Sequence, residues 1–327
     1  MSGLAAIARS QPFGINAARV LDDAVTDAVV AASGEWVAIG TASGCVRRFD
    51  HAGNQVGDWH AHRGGVIRMR LQPGPGDQLA TAGEDGRVML WNCQSGVELG
   101  CILDERSWVE HLAWTPDGSV LAVAARKTLS LWDGADALGM WYDAKRHILA
   151  LAWAPDGRRL ATAANNGLYL WRIGKAGNEA ADPVQLLSFP GAPVSVAWQP
   201  NGGALAVGTQ DGFLQVWRSS GLGRAGARNR ASQLTMKGYP SKVSCLSWHP
   251  CRPLIASAGG PDIVLWHLPQ TAGNAKGQPL RHHGATVTAL EWSPDGRSLA
   301  VAITEPLAER LQKIEEALGR LEEVERS

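Results

Sequence analysis

Short apolar runs that end in a tryptophan and lead into a turn sequence recur along the chain. LAWTPDG, with Trp114, and LAWAPDG, with Trp153, are two clear examples. A second series of runs alternates between apolar and polar positions before its own tryptophan, as in TLSLW at Trp132. A period of two residues is typical of β-strands, and Pro, Asp and Gly supply the backbone angles of tight turns. The pattern therefore predicts many short strands joined by tight turns.

The two tryptophan series keep the same spacing and define a repeat. Within each series, successive tryptophans lie about 40 to 50 residues apart, which is the range of propeller repeats rather than helical ones. Each unit is predicted to form four short strands, of which the fourth is the least regular. A single unit cannot bury both of its faces, so we expect radial stacking with the indoles between neighbouring units. Seven units can be counted, starting near Val25, Val66, Val109, Ile148, Val194, Val243 and Val287.

This double series resembles the WD40-repeat β-propeller family. The resemblance extends over residues 25–302 and implies an all-β fold, a seven-bladed propeller. Repeats of that family often contain a buried hydrogen-bonded set of a His, a Ser or Thr, a turn Asp and a Trp. Such sets stabilise a fold as networks, and we give this one a structural role and no catalytic role. The second unit matches the whole set with His62, Thr81, Asp85 and Trp91.

Other units match the hydrogen-bonded set only in part. The sixth unit has Ser257, Asp262 and Trp266 but no His at the corresponding place. The third unit has Arg126 and Lys127 where the turn Asp would stand. The repeats are therefore degenerate although their spacing is regular.

The seventh unit departs from the pattern because it has no third-strand tryptophan. Its first two strands flank the turn Pro294-Asp295-Gly296, and the chain then changes character. In the N-terminal segment, residues 1–24, Ala17 to Leu21 form the one candidate for a closing strand. Either that strand pairs with Leu299 to Ala302, or the last blade stays short and a C-terminal helix covers the gap. The sequence leaves both alternatives open.

The C-terminal segment, residues 303–327, is predicted to be an amphipathic α-helix. Its apolar positions alternate between spacings of four and three, which is the heptad pattern of a helix seam. Glu309 and Lys313 form one of its favourable i,i+4 pairs. We expect this seam to mediate self-association or partner binding, and docking on its own propeller is the alternative. The seam consists of Leu307, Leu311, Ile314, Leu318 and Leu321.

Composition and charge exclude several classes of protein. The chain has 31 Lys and Arg against 31 Asp and Glu, and this neutral balance argues against a general binder of nucleic acid or of an anionic membrane surface. No apolar run approaches the roughly 20 residues that span a bilayer, and we find no signal peptide. Five cysteines without a CxxC pair favour a reducing compartment, so we expect a cytoplasmic protein.

Three groups of residues contain types that could support binding or chemistry. The GxGxxG match at 221–226 is followed by ARNRASQL, which lacks helical periodicity, so we expect a flexible connection and no cofactor. The arginines of this segment form either a solvated connection or a site for an acidic or phosphorylated partner. Those arginines are Arg218, Arg224, Arg228 and Arg230. The third group matches no standard zinc spacing, so we expect no metal. It consists of Cys245, His249, Cys251 and His267.

The resemblance implies a non-enzymatic scaffold that binds protein partners. Fold alone does not determine function, so a second hypothesis is kept, a propeller that binds a small ligand or acts as an enzyme through its central channel. A cluster of ionisable groups at a channel mouth would favour that alternative, and the inner strands are interpreted as mostly apolar. Nucleic-acid binding through the arginine segment is a third and weaker hypothesis. The identity of a partner is not contained in the sequence.

Overall fold

The computed structural model describes residues 3–9, 14–20, 23–31, 33–74, 78–104, 108–134, 136–143, 147–165, 167–173, 185–187, 191–219, 233–269, 275–281 and 286–304. These residues form strands β1 to β28 and contain no α-helix. In the first half of the chain the strands are β1 Gly3–Arg9, β2 Gly14–Val20, β3 Val25–Val30, β4 Trp36–Thr41, β5 Cys45–Asp50, β6 Gln55–His60, β7 Val66–Leu71, β8 Gln78–Gly83, β9 Arg87–Asn92, β10 Val97–Asp104, β11 His111–Trp114, β12 Leu121–Ala125, β13 Thr128–Asp133 and β14 Asp136–Asp143. In the second half they are β15 Ile148–Trp153, β16 Arg159–Ala164, β17 Gly167–Arg172, β18 Gln185–Leu187, β19 Pro193–Trp198, β20 Ala204–Thr209, β21 Leu214–Arg218, β22 Gln233–Met236, β23 Cys245–Trp248, β24 Leu254–Gly259, β25 Asp262–His267, β26 Lys276–Arg281, β27 Thr286–Trp292 and β28 Ser298–Thr304.

The strands form seven antiparallel sheets of four strands each. We number the sheets by their first strands, so that sheets one to seven begin with β3, β7, β11, β15, β19, β23 and β27. In sheets one to six, four consecutive strands pair in sequence order, as in β3-β4-β5-β6. The first strands contact one another in a closed series, from β3 to β7 and onward until β27 contacts β3 again. They therefore surround a central channel, and the prediction of an all-β propeller is confirmed.

Burial decreases from the second strand to the fourth in sheets one, two and five. Every residue of β4, β12, β20 and β24 is buried, because these strands pack against neighbouring sheets on both faces. Their many Ala and Gly residues suit this close approach of two sheets. The fourth strand β6 has no buried residue, and β10 has one, Ile102. The core is thus a set of apolar layers between sheets.

The two tryptophan series make different contacts. The first-strand tryptophans Trp114, Trp153 and Trp248 link neighbouring sheets, since their Nε1 groups donate to the carbonyls of Arg70 at 3.1 Å, Ala113 at 3.1 Å and Ala197 at 3.0 Å. Third-strand tryptophans donate within their own sheet, as Trp171 does to the Thr162 hydroxyl at 2.8 Å. Indoles of the first series thus join neighbouring sheets at three places, and Trp171 shows how an indole of the second series holds its own sheet together.

The seventh sheet has four strands, which rules out the alternative of a short last blade covered by a helix. Its order is β2-β1-β28-β27, so two N-terminal strands complete it. Strand β1 pairs with β28 from Gly3 opposite Thr304 to Arg9 opposite Ser298, and β2 pairs with β1. The predicted closing strand, Ala17 to Leu21, overlaps β2, which is the outer strand and not the neighbour of β28. Sequence reasoning missed β1, the strand that lies beside β28.

The boundary of the C-terminal segment is also corrected. Residues 303 and 304 belong to β28 and not to a helix, because they pair with the start of β1 and with β27. Residues 305–327, with the whole predicted heptad seam, lie outside the described residues. No helix in the described part of the chain is long and apolar enough to cross a membrane.

The strand order defines two faces of the ring. Because strands alternate in direction, the connections between sheets lie on the same face as the turns between second and third strands. We call this the connection face, and it includes residues 61–65, 84–86 and 108–110. The opposite face contains the turns that follow the first-strand tryptophans, such as 115–120, and we call it the turn face.

Candidate functional site

The structure brings together the four side chains of the hydrogen-bonded set in sheet two, on the connection face. His62 lies in the connection from sheet one, Asp85 in the turn between β8 and β9, and Thr81 and Trp91 on those two strands. The Nδ1 of His62 lies 2.9 Å from the Oδ1 of Asp85, and its Nε2 lies 2.7 Å from the Thr81 hydroxyl. The Nε1 of Trp91 donates to that same hydroxyl at 2.9 Å.

The donors and acceptors of this set form one continuous chain. The indole N–H of Trp91 donates to Thr81, whose hydroxyl donates to the Nε2 of His62, and the Nδ1–H of His62 donates to Asp85. This assignment gives His62 the neutral tautomer with its proton on Nδ1, because a carboxylate only accepts. Asp85 also accepts the backbone N–H groups of Arg63 at 3.1 Å and Arg87 at 3.2 Å.

Burial controls the protonation of this set. Burial lowers the pKa of His62 below its usual value, although the negative charge of Asp85 opposes the shift. Burial alone would raise the pKa of Asp85, but the Arg63 N–H and His62 outweigh it, so the pKa of this carboxyl is lowered. A neutral imidazole beside a carboxylate is the state that the hydrogen bonds require. These groups hold two turns in place, and their arrangement is structural.

Sheet six contains an equivalent set built from a different residue. Tyr239 lies in the connection that enters this sheet, where His62 lies for sheet two. Its hydroxyl is 2.5 Å from the Ser257 hydroxyl and accepts the Nε1–H of Trp266 at 2.5 Å. Among the described residues, the Asp262 carboxylate makes no hydrogen bond to this set. In the sixth unit a tyrosine thus takes the place of the missing His. Sequence reasoning missed this role of Tyr239.

One of the four predicted partner-binding arginines lies in the described part of the chain. Arg218 ends β21 on the turn face, and its Nη2 donates to the carbonyl of Pro269 at 2.6 Å. With Arg252 it lines a groove of about 410 Å³ between sheets five and six. The other three arginines, Arg224, Arg228 and Arg230, lie outside the described residues. The five seam residues of the C-terminal segment do so as well.

Cys245 and His249, two of the four residues of metal-binding type in sheet six, have other partners. Cys245 is buried, and burial raises the pKa of its thiol to about 11, so it stays protonated. The Nδ1 of His249 accepts the backbone N–H groups of Cys251 and Arg252, both at 3.1 Å. Across the residues that the structure describes, no group of three or more His, Cys, Asp or Glu is arranged to hold a metal ion.

The central channel is charged, which corrects the interpretation of the inner strands as mostly apolar. A cavity of about 110 Å³ is lined by residues from all seven first strands. Asp27 on β3, Arg68 and Arg70 on β7, His111 on β11 and Glu291 on β27 all line it. Arg68 and Arg70 are two positions apart on one strand, so they point to the same side. That spacing was the signal in the sequence for a polar channel wall.

One exposed tryptophan lies on the connection face. Trp108, in the connection between β10 and β11, is 57% exposed. The apolar residues Val97 and Leu99 are exposed to a similar degree, but they lie on the outer strand β10. A large exposed aromatic on a face loop is unusual for a residue type that is normally well buried.

Comparison with known proteins places this geometry in a family. The chain is 30% identical over 112 residues to the anaphase-promoting complex subunit cdh1 of Dictyostelium discoideum, an alignment covering 34% of the chain and 14% of that protein. It is 29% identical over 110 residues to cell division cycle 20.1, cofactor of APC complex, of Arabidopsis thaliana, covering 34% and 22%. It is 28% identical over 106 residues to WD repeat-containing protein slp1 of Schizosaccharomyces pombe, covering 32% and 20%. The alignments therefore span less than a quarter of each relative.

A family model covers much more of the chain than these relatives do. The model of the WD domain, G-beta repeat, matches residues 53–92, 98–133, 142–172, 183–218, 230–267 and 276–302. Each match begins at or near the fourth strand of one sheet and ends in the next sheet, so every repeat connects two neighbouring sheets. The family model does not match strands β1 to β5. The structure therefore has seven sheets although the family model matches only six repeats. The matches include more than half of the chain, which therefore belongs to the WD40 repeat family.

Proposed function

We propose that this chain is a non-enzymatic scaffold that binds protein partners through a seven-bladed propeller. The family membership supports it, as do relatives whose names place them in or with the anaphase-promoting complex. Those relatives match only a third of the chain, so they support the class of function and not a particular partner. The cytoplasm is the proposed location, since all five cysteines are free thiols, as a reducing compartment favours.

The observation that carries the proposal is the exposure of Trp108 on the connection face. Tryptophan is enriched among the few interface residues that contribute most of the binding energy. Its rigid ring offers a large contact area at low cost in side-chain entropy. A protein partner that covers this face would bury the indole, which the chain itself leaves in solvent.

Affinity purification of the full chain followed by quantitative mass spectrometry tests this surface. Trp108→Ala should deplete a defined subset of co-purified proteins by at least about tenfold, as expected when an interface anchor is removed. Leu99→Ala is the matched control, because Leu99 is 54% exposed but lies on the outer strand β10. Equal recovery of every protein by the two variants would refute the assignment of the connection face.

We also propose that residues 305–327 form the helix that associates with another chain. The seventh sheet already has four strands, so it needs no helix to complete it. Exposed apolar seams of this length favour association. Replacing Leu311 and Leu318 with Asp should abolish a dimer in light scattering and leave the thermal midpoint unchanged. A monomer before and after, with a lowered midpoint, would mean that the helix packs on its own propeller.

A second partner surface is proposed on the turn face, around the arginine segment. Arg218 and Arg252 line the groove between sheets five and six, which gives an acidic or phosphorylated segment two guanidinium groups. Replacing Arg252 with Gln should weaken binding of such a partner, and high salt should do the same. Binding that is insensitive to both would exclude this surface.

A further inference from the structure

The central channel contains a built cluster of charged side chains that the scaffold function does not use. Its cavity of about 110 Å³ is large enough for several water molecules. Small oxyanions such as sulfate or acetate are of this size class. The charged and titratable groups that face the channel or its mouth are Asp27, Arg68, Arg70, Glu110, His111, His147, Cys245 and Glu291.

Asp27 positions the two arginines. Its side chain is buried, and its carboxylate accepts the backbone N–H of Met69 at 2.9 Å and the Nη1 of Arg70 at 3.1 Å. The Nη1 of Arg68 lies 3.8 Å from the other carboxylate oxygen of Asp27, Oδ1. The Nε of Arg68 also donates to the carbonyl of Glu110 at 3.3 Å. Both guanidinium groups are therefore anchored on the channel wall instead of extending freely into solvent.

Most N–H donors of the two arginines remain available to a ligand. Each guanidinium has five donors in a planar fork. The contacts above use the Nε of Arg68 and the Nη1 of Arg70, which also donates to the Met69 carbonyl at 2.6 Å. In the described part of the chain, neither Nη2 group has a protein acceptor. The side chains of Arg68 and Arg70 are 30% and 39% exposed, and both line the cavity.

At mildly acidic pH the net charge of the channel wall is positive, because Glu291 and His111 are neutral there. Burial raises the pKa of Glu291 to about 7, an effect that Arg70 opposes and Asp27 assists. Burial also lowers the pKa of His111 well below its usual value, with Arg68 and Arg70 acting in the same direction. Protonated Glu291 and neutral His111 then leave the two guanidinium charges against one carboxylate. At the connection face, the carboxylate of Glu110 contacts the Nε2 of His147.

We infer that the central channel binds one small oxyanion, held by the guanidinium groups of Arg68 and Arg70. Paired guanidinium forks match the oxygen geometry of carboxylate, sulfate and phosphate groups. The low dielectric of a narrow channel strengthens these hydrogen bonds relative to the same contacts at the surface. This site is separate from the protein-binding surfaces proposed above and does not depend on them.

Isothermal titration of the full chain with sulfate tests the site, because sulfate keeps its charge over the pH range used. We expect saturable binding of one sulfate, with affinity falling up to about tenfold between about pH 6 and about pH 8 as Glu291 loses its proton. A parallel titration with acetate distinguishes a planar from a tetrahedral ligand. Saturable binding of either ion supports the inference, and saturable binding of neither overturns it.

Two arginine variants distinguish sulfate binding in the channel from a general effect of the positive charge of the protein. Arg68→Gln should weaken binding at least about tenfold. Arg297→Gln removes the same charge from a side chain that is 85% exposed on the turn face, and it should bind like the unchanged protein. An equal loss in both variants would overturn the inference. Glu291→Gln should bind sulfate with its pH dependence much reduced, since residue 291 then has no carboxyl group to lose a proton.

A steric variant keeps the test decisive if Arg68→Gln does not fold. Leu149 lines the same cavity from β15 and has no charge. Leu149→Phe should narrow the channel and weaken sulfate binding, while circular dichroism shows the β spectrum of the unchanged protein. Unaltered binding by a folded Leu149→Phe protein would place sulfate elsewhere and refute the channel site.

Discussion

Replacement of Asp85 by Ala is the most direct test of how sheet two is held together. The substitution removes the acceptor of three N–H groups, one on the His62 ring and two on the backbone of Arg63 and Arg87. These donors differ in their access to water. The His62 side chain is fully buried, whereas the hydrogen bond from Arg63 lies at an exposed position. Water can replace the carboxylate for Arg63 but not for His62.

The cost of the substitution therefore depends mainly on His62. A buried donor left without a partner destabilises a protein by about 1–3 kcal/mol. Loss of the Asp85 charge also frees the ring to change tautomer, which would disturb its bond to Thr81. We expect the free energy of unfolding to fall by about 1–3 kcal/mol, and Asp85→Asn to cost less because its amide oxygen still accepts from Nδ1–H.

Urea denaturation followed by tryptophan fluorescence measures this loss. Asp58→Ala is the matched control, since Asp58 is 45% exposed and its ion pair with Arg47, at 3.7 Å, is of the surface kind worth about 0–1 kcal/mol. Asp85→Ala should lower the denaturation midpoint clearly more than Asp58→Ala does. Equal midpoints for the two variants would refute the argument that an unsatisfied buried imidazole sets the cost.

Three further predictions concern the same kind of network. Tyr239→Phe leaves the indole N–H of Trp266 without its acceptor and should destabilise by about 1–3 kcal/mol in urea denaturation, and an unchanged midpoint would contradict it. Gly83→Ala would place a Cβ 2.3 Å from the His62 ring, so the thermal midpoint should fall, and it should fall less when His62 is already Ala. Because the folded-state pKa of His62 is lowered, the unfolded chain binds more protons below about pH 6.5, and stability should fall as the pH decreases from there. His62→Gln should show a smaller loss over that range, measured as the urea midpoint against pH, and an identical loss would exclude His62 as its source.

Repeat spacing predicted most of the fold because the signal is local and recurs. Strands β3, β7 and β15 begin at the predicted Val25, Val66 and Ile148. Strand β1 was missed for a physical reason. Its run GLAAIAR has neither a tryptophan nor a turn motif, and its pairing depends on β28 at the far end of the chain. Because the two paired strands lie at opposite ends of the sequence, no local periodicity indicates that they pair.

The candidate sites were predictable only where the motif was complete. The His62 set could be assembled from the sequence because each member stands at a fixed offset in its unit. The channel charges could not be recognised in this way, since they come from different sheets and meet only when the ring closes. Arg68 and Arg70 lie among apolar residues on β7, and that neighbourhood suggested an apolar wall. Closure of the ring, and not the strand itself, brings these charges to one cavity.

Comparison of sheets two and six shows what the repeat needs from its sequence. In both sheets an indole N–H donates to a hydroxyl, that of the buried Thr81 in one and of the half-buried Tyr239 in the other. The chain from Thr81 continues through His62 to the carboxylate of Asp85. The chain from Tyr239 continues through Ser257, which donates to a backbone carbonyl at 3.2 Å. Burial raises the pKa of Tyr239, so its set stays uncharged at acidic and neutral pH, whereas the set of sheet two contains a charge and an imidazole. The degenerate motif thus keeps a continuous hydrogen-bonded chain from the indole, although the connection residue and the second-strand hydroxyl exchange places in it. It also removes the sensitivity to protons, and acid should weaken sheet two before sheet six.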